Sequence, residues 1–212
     1  IVSRDWSSDV CSSDLEFTME LYGQPQYGWI VMTDDGHPYL YTEIQSENDW
    51  RTMEVFDLKG EKIRHVGTSN DSPHGALLND PDEFYLTRRV DALGTYDAYR
   101  KFHVGESGMP VAENEVYTKV NVCDSKEDEA ALVSTRELPV TMMEADGSEK
   151  EEKLPVGTKY YVRATDLENF VDMELSDGRR CRLALKKSDK GWGFEIDGVY
   201  EEDCFEFIPY AG

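Results

Sequence analysis

Short strands of alternating polar and apolar residues, separated by tight turns, restrict most of this chain to antiparallel β-structure. The clearest run covers residues 29–66 and contains turns at residues 34–36, 47–49 and 59–60. Each turn is flanked by β-branched and aromatic residues on an alternating pattern, which is typical of hairpins with one buried face. The run therefore predicts a four-stranded antiparallel meander.

The last turn of this run also predicts a register. A two-residue loop at residues 59–60 pairs Phe56 with Ile63 and Asp57 with Lys62. Apolar side chains then face each other across the strands, and opposite charges do the same. Because a slip of one residue would send every side chain to the other face, we expect this register.

A weaker copy of the pattern follows. Residues 55–60 resemble residues 101–106, about 46 positions later. Meanders that recur every 40–50 residues or so are typical of propeller blades. Two unrelated hairpin sheets in a sandwich would give the same alternation, so both interpretations stay open. The charged segment 124–131 lacks periodicity and is predicted to be a linker.

The net charge of the chain disfavours two classes of binding partner. Its 212 residues include 22 basic and 44 acidic ones, which gives a net charge of −22. Such a surplus repels nucleic-acid phosphates and anionic lipid surfaces, so we expect neither as a partner. No apolar run approaches the ~20 residues of a membrane span, and membrane insertion by this chain is not expected.

Residues 132–212 predict a second, compact β-barrel module. Its clearest feature is a hairpin around Asp177-Gly178, where the apolar pattern selects a three-residue loop at 177–179. That loop opposes Leu175 to Cys181 and Glu174 to Arg182. A two-residue loop would instead place Leu175 opposite a charged residue.

The segments Leu154-Pro-Val-Gly-Thr-Lys-Tyr-Tyr-Val-Arg-Ala-Thr-Asp and Phe170-Val-Asp-Met-Glu-Leu-Ser-Asp-Gly-Arg-Arg resemble bacterial SH3-like modules. In these modules a Leu-x-x-Gly-Thr turn precedes a strand. The pattern is similar to the C-terminal part of uncharacterised exported or lipid-anchored proteins of gut Gram-positive bacteria. This resemblance implies a small SH3-like barrel over 132–212, an extracytoplasmic position at the cell surface, and a binding or scaffolding role.

A second resemblance concerns residues 5–15, Asp-Trp-Ser-Ser-Asp-Val-Cys-Ser-Ser-Asp-Leu. They resemble one reading frame of a short-read sequencing adapter, which implies that residues 1–15 are not native. Native sequence is then expected to begin near Glu16 or Phe17. We therefore expect residues 16–131 to form a β-meander domain truncated at its N-terminus, with any signal or anchor lost.

The sequence contains no catalytic motif. Its four histidines occupy separate predicted strands or loops, and none has a ligand at metal-binding spacing. We therefore predict no enzyme activity, no metal site and no cofactor. If the protein is exported, Cys181 and Cys204 could pair as a disulfide, whereas two buried reduced thiols are the favoured alternative.

Three aromatic residues are the candidate binding residues. Tyr161 and Phe170 are predicted to point outward from their strands, and Trp192 lies between two glycines. Together they would line a shallow groove for a peptide or a glycan. The alternative is that they cover a contact between domains or seal the end of the barrel.

These observations favour a non-enzymatic protein of the bacterial cell envelope that binds a cell-wall component or a protein. Two alternatives stay open. The chain would be the accessory part of a larger exported hydrolase, or a small intracellular structural protein.

Overall fold

The computed structural model describes residues 23–46, 50–74, 76, 78–120, 129–189 and 191–211. These residues form strands, turns and one short 3-10 helix, so the predicted all-β class is confirmed. The chain divides into two compact units: residues up to 84 together with 103–111, and residues 85–102 together with those from 112 onward. The adapter-like residues 5–15 and most of the predicted linker lie outside the described residues.

The first unit contains the predicted four-stranded antiparallel meander, whose strands are adjacent in chain order. They are β1 (Gln24–Met32), β2 (Pro38–Gln45), β3 (Arg51–Asp57) and β4 (Arg64–Ser69). The side chains of Val31, Tyr39, Tyr41 and Val55 are buried. Alternation along the strands thus gives the meander a buried face, as expected for an antiparallel sheet.

The predicted register of the last hairpin is wrong. Asp57 pairs with Arg64, and Phe56 pairs with His65, with a bulge between Val55 and Phe56. The longer loop lets the Asp57 carboxylate accept a hydrogen bond from the Lys59 backbone N–H at 2.8 Å. It also places the Arg64 guanidinium 2.8 Å from the same carboxylate. These charge-assisted contacts outweigh the Phe56–Ile63 pair of a tight loop.

The segment at residues 103–111 covers part of the buried face of this meander. The Tyr41 hydroxyl donates to the Gly108 carbonyl at 2.7 Å. Gly108 has a φ of +88°, and a Cβ there would overlap the Tyr39 ring. Glycine is therefore required on two grounds, the left-handed backbone and the close approach of the ring.

Ten strands form the second sheet, which supplies most of the second unit. Its path runs β11-β10-β14-β13-β12-β8-β6-β5, with β7 beside β6 and β9 beside β12. The strands are β5 (Phe84–Asp91), β6 (Thr95–Val104), β7 (Pro110–Ala112), β8 (Tyr117–Lys119), β9 (Leu132–Val133), β10 (Leu138–Met143), β11 (Glu149–Leu154), β12 (Lys159–Thr165), β13 (Phe170–Leu175) and β14 (Arg180–Ala184). Within the described residues this path ends at β11 and β5 and does not close into a barrel.

This sheet differs from the predicted organisation in one respect. The hairpin β5–β6 does not form a second four-stranded meander, because β8 pairs with both β6 and β12. Residues 85–102 therefore belong to the same compact unit as the C-terminal strands. The sequence pattern instead predicts a domain boundary between residues 131 and 132.

The hairpin of β13 and β14 has a three-residue loop, but the loop starts one residue earlier than predicted. Leu175 donates its backbone N–H to the Arg179 carbonyl at 2.8 Å. As a result Glu174 opposes Arg180, and Met173 opposes Cys181. The observed pairing differs from the predicted one by two residues, which keeps every side chain on its predicted face.

A three-stranded sheet and a short 3-10 helix complete the second unit. The strands are β15 (Lys186–Lys187), β16 (Phe194–Ile196) and β17 (Val199–Tyr200), and the helix is Glu201–Asp203. The main core of this unit packs buried side chains of β10, β12, β13 and β14 against Phe194, Ile196 and Phe205. The C-terminal segment then returns to the β5–β6 turn, where the Thr95 N–H donates to the Pro209 carbonyl at 3.0 Å.

Candidate functional site

An open polar pocket of about 570 Å³ lies in the second unit, beside the loop that joins β12 to β13. Three cations line it: Arg88 from β5, Arg100 from β6 and Lys187 from β15. Tyr117, the first residue of β8, and the loop at residues 166–169 complete the lining. This volume falls within the range of about 300–1,000 Å³ that is usual for small-molecule sites.

Asp166 shapes the loop at residues 166–169. Its carboxylate accepts backbone N–H bonds from Glu168, Asn169 and Phe170 at 3.1, 2.8 and 3.0 Å. Burial opposes ionisation of this carboxylate, but its hydrogen bonds to the side chain and backbone of the loop hold the pKa below its ordinary value. Leu167 adopts a left-handed φ of 69° in this loop. Asp166 is therefore an ionised structural group that fixes one wall of the pocket.

Arg100 lies over two aromatic rings. Its Cζ is 4.2 Å from the centroid of the Tyr117 ring and 5.0 Å from that of Phe102. Its Nη1 donates to the Asn114 carbonyl at 3.3 Å, and only 16% of its side chain is exposed. Cation–π contacts and burial therefore hold this guanidinium in one place at the pocket.

Arg88 has a different environment. It is half-buried and lines the same pocket. In the part of the chain that the structure describes, no carboxylate or carbonyl lies within ion-pair or hydrogen-bond distance of its guanidinium. Other arginines are paired with carboxylates, as Arg64 is with Asp57, Arg163 with Glu129 and Arg182 with Asp172.

Besides Asp166, two carboxylates line the pocket, and both are exposed at its rim. The Glu115 side chain is 94% exposed and its Oε2 lies 4.0 Å from Arg100 Nη1. Glu168 pairs with Lys187 at 3.2 Å, and about two thirds of each side chain is exposed. Exposed pairs of this kind contribute little stability. The pocket thus combines guanidinium groups on two half-buried arginines with solvated carboxylates at its edge.

A buried ion network connects β8 to β12. Glu129 Oε1 accepts from Lys119 Nζ at 2.9 Å and from Arg163 Nη1 at 2.8 Å, and Arg163 Nε donates to Glu174 at 2.9 Å. Burial opposes ionisation of Glu129, but these hydrogen bonds outweigh it and hold the pKa below its ordinary value. Because Lys119 shares β8 with Tyr117, the network fixes the strand that carries the pocket wall. It also places Glu129, part of the predicted linker, in the interior.

The structure places the three predicted binding residues in separate environments. Tyr161 lies on the predicted outer face, opposite Glu174, but it is only 5% exposed because that face is covered there. Phe170 is half-buried beneath the Arg182 guanidinium, whose Cζ lies 3.6 Å from the ring centroid. Trp192 is 57% exposed and packs edge-on against Tyr200 and Tyr210.

These residues do not follow one another along a common groove. Tyr161 pairs with Glu174 near one end of the β12–β13 ladder, whereas Phe170 lies beyond the Thr165–Val171 pair at the other end. Trp192 belongs to the connection between β15 and β16 in the three-stranded sheet. Trp192 is thus the predicted binding residue that presents a large apolar surface to solvent.

Among the described residues Cys181 and Cys204 are free thiols, and the disulfide considered above is not formed. Cys181 lies in the middle of β14, opposite Met142 and Met173. Cys204 follows the 3-10 helix, with its Sγ 3.8 Å from the Val199 carbonyl. Burial raises the pKa of Cys181 to about 12, so its thiol is protonated at neutral pH.

Comparison with family models, with curated proteins and with solved structures finds no match to this chain. Within residues 23–211, leaving aside the undescribed gaps, no three His, Cys, Asp or Glu side chains are grouped as a metal site. None of the helical segments in that range has the length and apolar character needed to cross a membrane.

The sequence pattern does not predict the pocket residues. Arg88, Arg100 and Lys187 are separated by up to about a hundred positions, and no local motif connects them. The Asp166 loop carried a weak signal, since Asp followed by Asn three residues later after a β-strand is typical of a side-chain-capped turn. The pocket can bind a polar ligand, because the guanidinium groups of Arg88 and Arg100 donate hydrogen bonds and the carboxylates at the rim accept them.

Proposed function

We propose that this chain is a non-enzymatic, extracytoplasmic protein of the bacterial cell envelope that binds a cell-wall component or an envelope protein. The observation that carries the proposal is the polar pocket beside the Asp166 loop. Arg88 and Arg100 lie on neighbouring strands of one sheet. The loop at residues 166–169 is held by the hydrogen bonds of Asp166. A site of this kind is preorganised for a ligand, because little side-chain freedom is lost on binding.

The lining of the pocket favours binding over catalysis. Asp166 has its carboxylate directed to backbone donors of its own loop, and Glu168 pairs with Lys187. General acid–base chemistry needs a group with a pKa near the working pH, and hydrogen bonds instead hold the pKa of Asp166 low. The likeness of residues 135–212 to SH3-like modules of exported proteins supports the envelope setting.

A co-sedimentation experiment tests this proposal. Purified protein is mixed with isolated Gram-positive cell envelopes that retain their walls and attached proteins, and the pelleted fraction is measured. The Arg88→Ala variant removes one pocket cation, and Arg136→Ala removes an exposed arginine outside the pocket as a control of equal charge. We expect the wild type and the control to pellet, and Arg88→Ala to stay largely in the supernatant.

Two further readouts complete the experiment. The supernatant is assayed for released reducing groups and muropeptides, which a non-enzymatic protein does not produce. Protease treatment of whole cells expressing the native gene measures whether the protein is exposed outside the membrane. Absence of binding to envelopes, release of wall fragments, or protection from protease in intact cells would each refute part of the proposal.

A further inference from the structure

The environment of Arg88 is unusual for a chain with this composition. The sequence has twice as many acidic as basic residues, 44 against 22. Even so, Arg88, a half-buried residue, has no carboxylate or carbonyl partner for its guanidinium among the residues described. Its guanidinium therefore lines the pocket as a cation that no carboxylate of the described residues neutralises. An anionic group of a ligand can form the ion pair that the protein does not supply.

We propose that the pocket binds the carboxylate of a hydroxylated monocarboxylic acid about the size of a sugar acid, with Arg88 as its main ion-pair partner. This inference rests on the proposed binding function, because it names the ligand class for the same pocket. Arg100 lines the pocket beside Arg88, and its contacts with Tyr117 fix its guanidinium. Planar guanidinium groups match the geometry of a carboxylate, to which they donate in pairs.

The electrostatics of the chain favour a single negative charge on the ligand. The lining carries the carboxylates of Glu115, Asp166 and Glu168, and the protein as a whole has a net charge of −22. A phosphate monoester brings nearly two charges and a stronger repulsion from this field. A carboxylate brings one charge, which the inner guanidinium groups can balance.

The same rim favours hydroxyl groups on the rest of the ligand. Carboxylates accept hydrogen bonds only, so Glu115 and Glu168 can accept from ligand hydroxyl groups in place of water. Asn169 uses its side-chain N–H to hold Asp166 at 2.8 Å, which leaves its carbonyl oxygen as a further acceptor toward the pocket. Hydroxyls satisfy such acceptors and add no charge. The volume of about 570 Å³ accommodates a ligand of one or two sugar rings.

Three probes with the same pyranose ring test the inference. Glucuronate carries a carboxylate at C6, glucose a hydroxymethyl group, and glucose 6-phosphate a phosphate ester. Binding to the full chain is measured by calorimetry and by NMR shifts of the arginine Nε–Hε groups at low ionic strength. The variants are Arg88→Ala, Arg88→Lys and the control Arg136→Ala, and circular dichroism checks that each is folded.

We expect glucuronate to bind best, with glucose and glucose 6-phosphate each weaker by about tenfold or more. Arg88→Ala should weaken glucuronate binding about tenfold, Arg88→Lys should restore only part of it, and Arg136→Ala should leave it unchanged. Equal binding of glucose and glucuronate would overturn the carboxylate inference while leaving the pocket as a binding site. Stronger binding of glucose 6-phosphate would overturn the preference for one charge.

The remaining outcomes separate the two proposals. If none of the three probes binds while the protein still co-sediments with envelopes, the ligand class is wrong and the binding function stands. If Arg88→Ala binds glucuronate as tightly as the wild type does, the carboxylate does not contact this pocket and the inference fails. Failure of both experiments would refute the proposed function as well.

Discussion

Glu201 is a buried acid whose neutralisation should stabilise the second unit. Its side chain is fully buried, and its Oε1 accepts a hydrogen bond from the Tyr210 hydroxyl at 2.8 Å. Its Oε2 has no hydrogen-bond partner among the described residues. Burial raises the pKa of Glu201 above its ordinary value of 4.5, although bonds from Tyr210 and the Phe194 N–H partly oppose this.

This shift fixes the sign of the pH dependence. Because the folded state holds the proton more tightly than the unfolded state does, the contribution of Glu201 to stability is greatest below about pH 4.5 and falls as pH rises through the raised pKa. Glu201→Gln keeps the oxygen that accepts from Tyr210 and removes the buried charge. Its amide leaves an unsatisfied N–H group, which costs about 1–3 kcal/mol, but an unpaired buried carboxylate costs more. We expect a net gain on the order of 1 kcal/mol at pH 7.5, the scale of one buried hydrogen-bonding group, and almost none at pH 4.

Urea denaturation at pH 4.0 and pH 7.5 measures this effect. Replacing Trp6, Trp29 and Trp50 by Phe leaves Trp192, which contacts Tyr210, as a fluorescent reporter of the second unit. Glu202→Gln is the matched control, because it removes one negative charge from an exposed neighbour. The reasoning is refuted if Glu201→Gln gains no more stability at pH 7.5 than Glu202→Gln does, or gains equally at both pH values.

Three further outcomes are expected. Gly108→Ala should destabilise the first unit by about 2 kcal/mol or more in chemical denaturation. By contrast Gly147→Ala, with a φ of +82° and open space around it, should cost only about 1 kcal/mol. Burial opposes ionisation of Asp57, but bonds led by that from Arg64 hold its pKa well below the usual range. The stability that Asp57 adds is thus lost as pH falls below about 4, and Asp57→Asn should flatten an acid titration followed by circular dichroism. Peptide mapping after iodoacetamide treatment at pH 8 should find Cys181 unlabelled in the folded protein and labelled in urea, because burial raises its pKa to about 12; rapid labelling of the folded protein would contradict this.

Alternation in the sequence was sufficient to predict which face of a strand is buried. Met173 and Cys181 lie on the buried face although their hairpin is displaced by two residues, since a shift of two preserves the side-chain direction. Loop positions were harder to predict. The β3–β4 turn depends on hydrogen bonds to Asp57 that the apolar pattern does not encode.

Tyr161 shows a second limit of the pattern. Alternation separates the two faces of a strand, but it does not say whether a second layer covers the outer one. Here the Arg163 guanidinium lies 5.7 Å from the Tyr161 ring, and β9 pairs with the start of β12. The pocket could not be predicted from the local sequence pattern for a related reason. Strand β8 pairs with both β6 and β12, and these pairings between distant segments bring Arg100 and the Asp166 loop together.

The attachment of the C-terminal segment to the β5–β6 turn bears on how the protein is made. Thr95 Oγ1 accepts from the Ala211 backbone N–H at 3.0 Å, across 116 positions of sequence. Thr95 is synthesised long before Ala211. The hydrogen bond between them can therefore form only after the intervening chain has emerged from the ribosome. A contact across so many residues is non-local. Closing such a long loop costs conformational entropy, and this slows folding of the second unit. During translation the four-stranded meander is therefore the part able to acquire its pairings first, and the pocket forms after residue 187 has emerged.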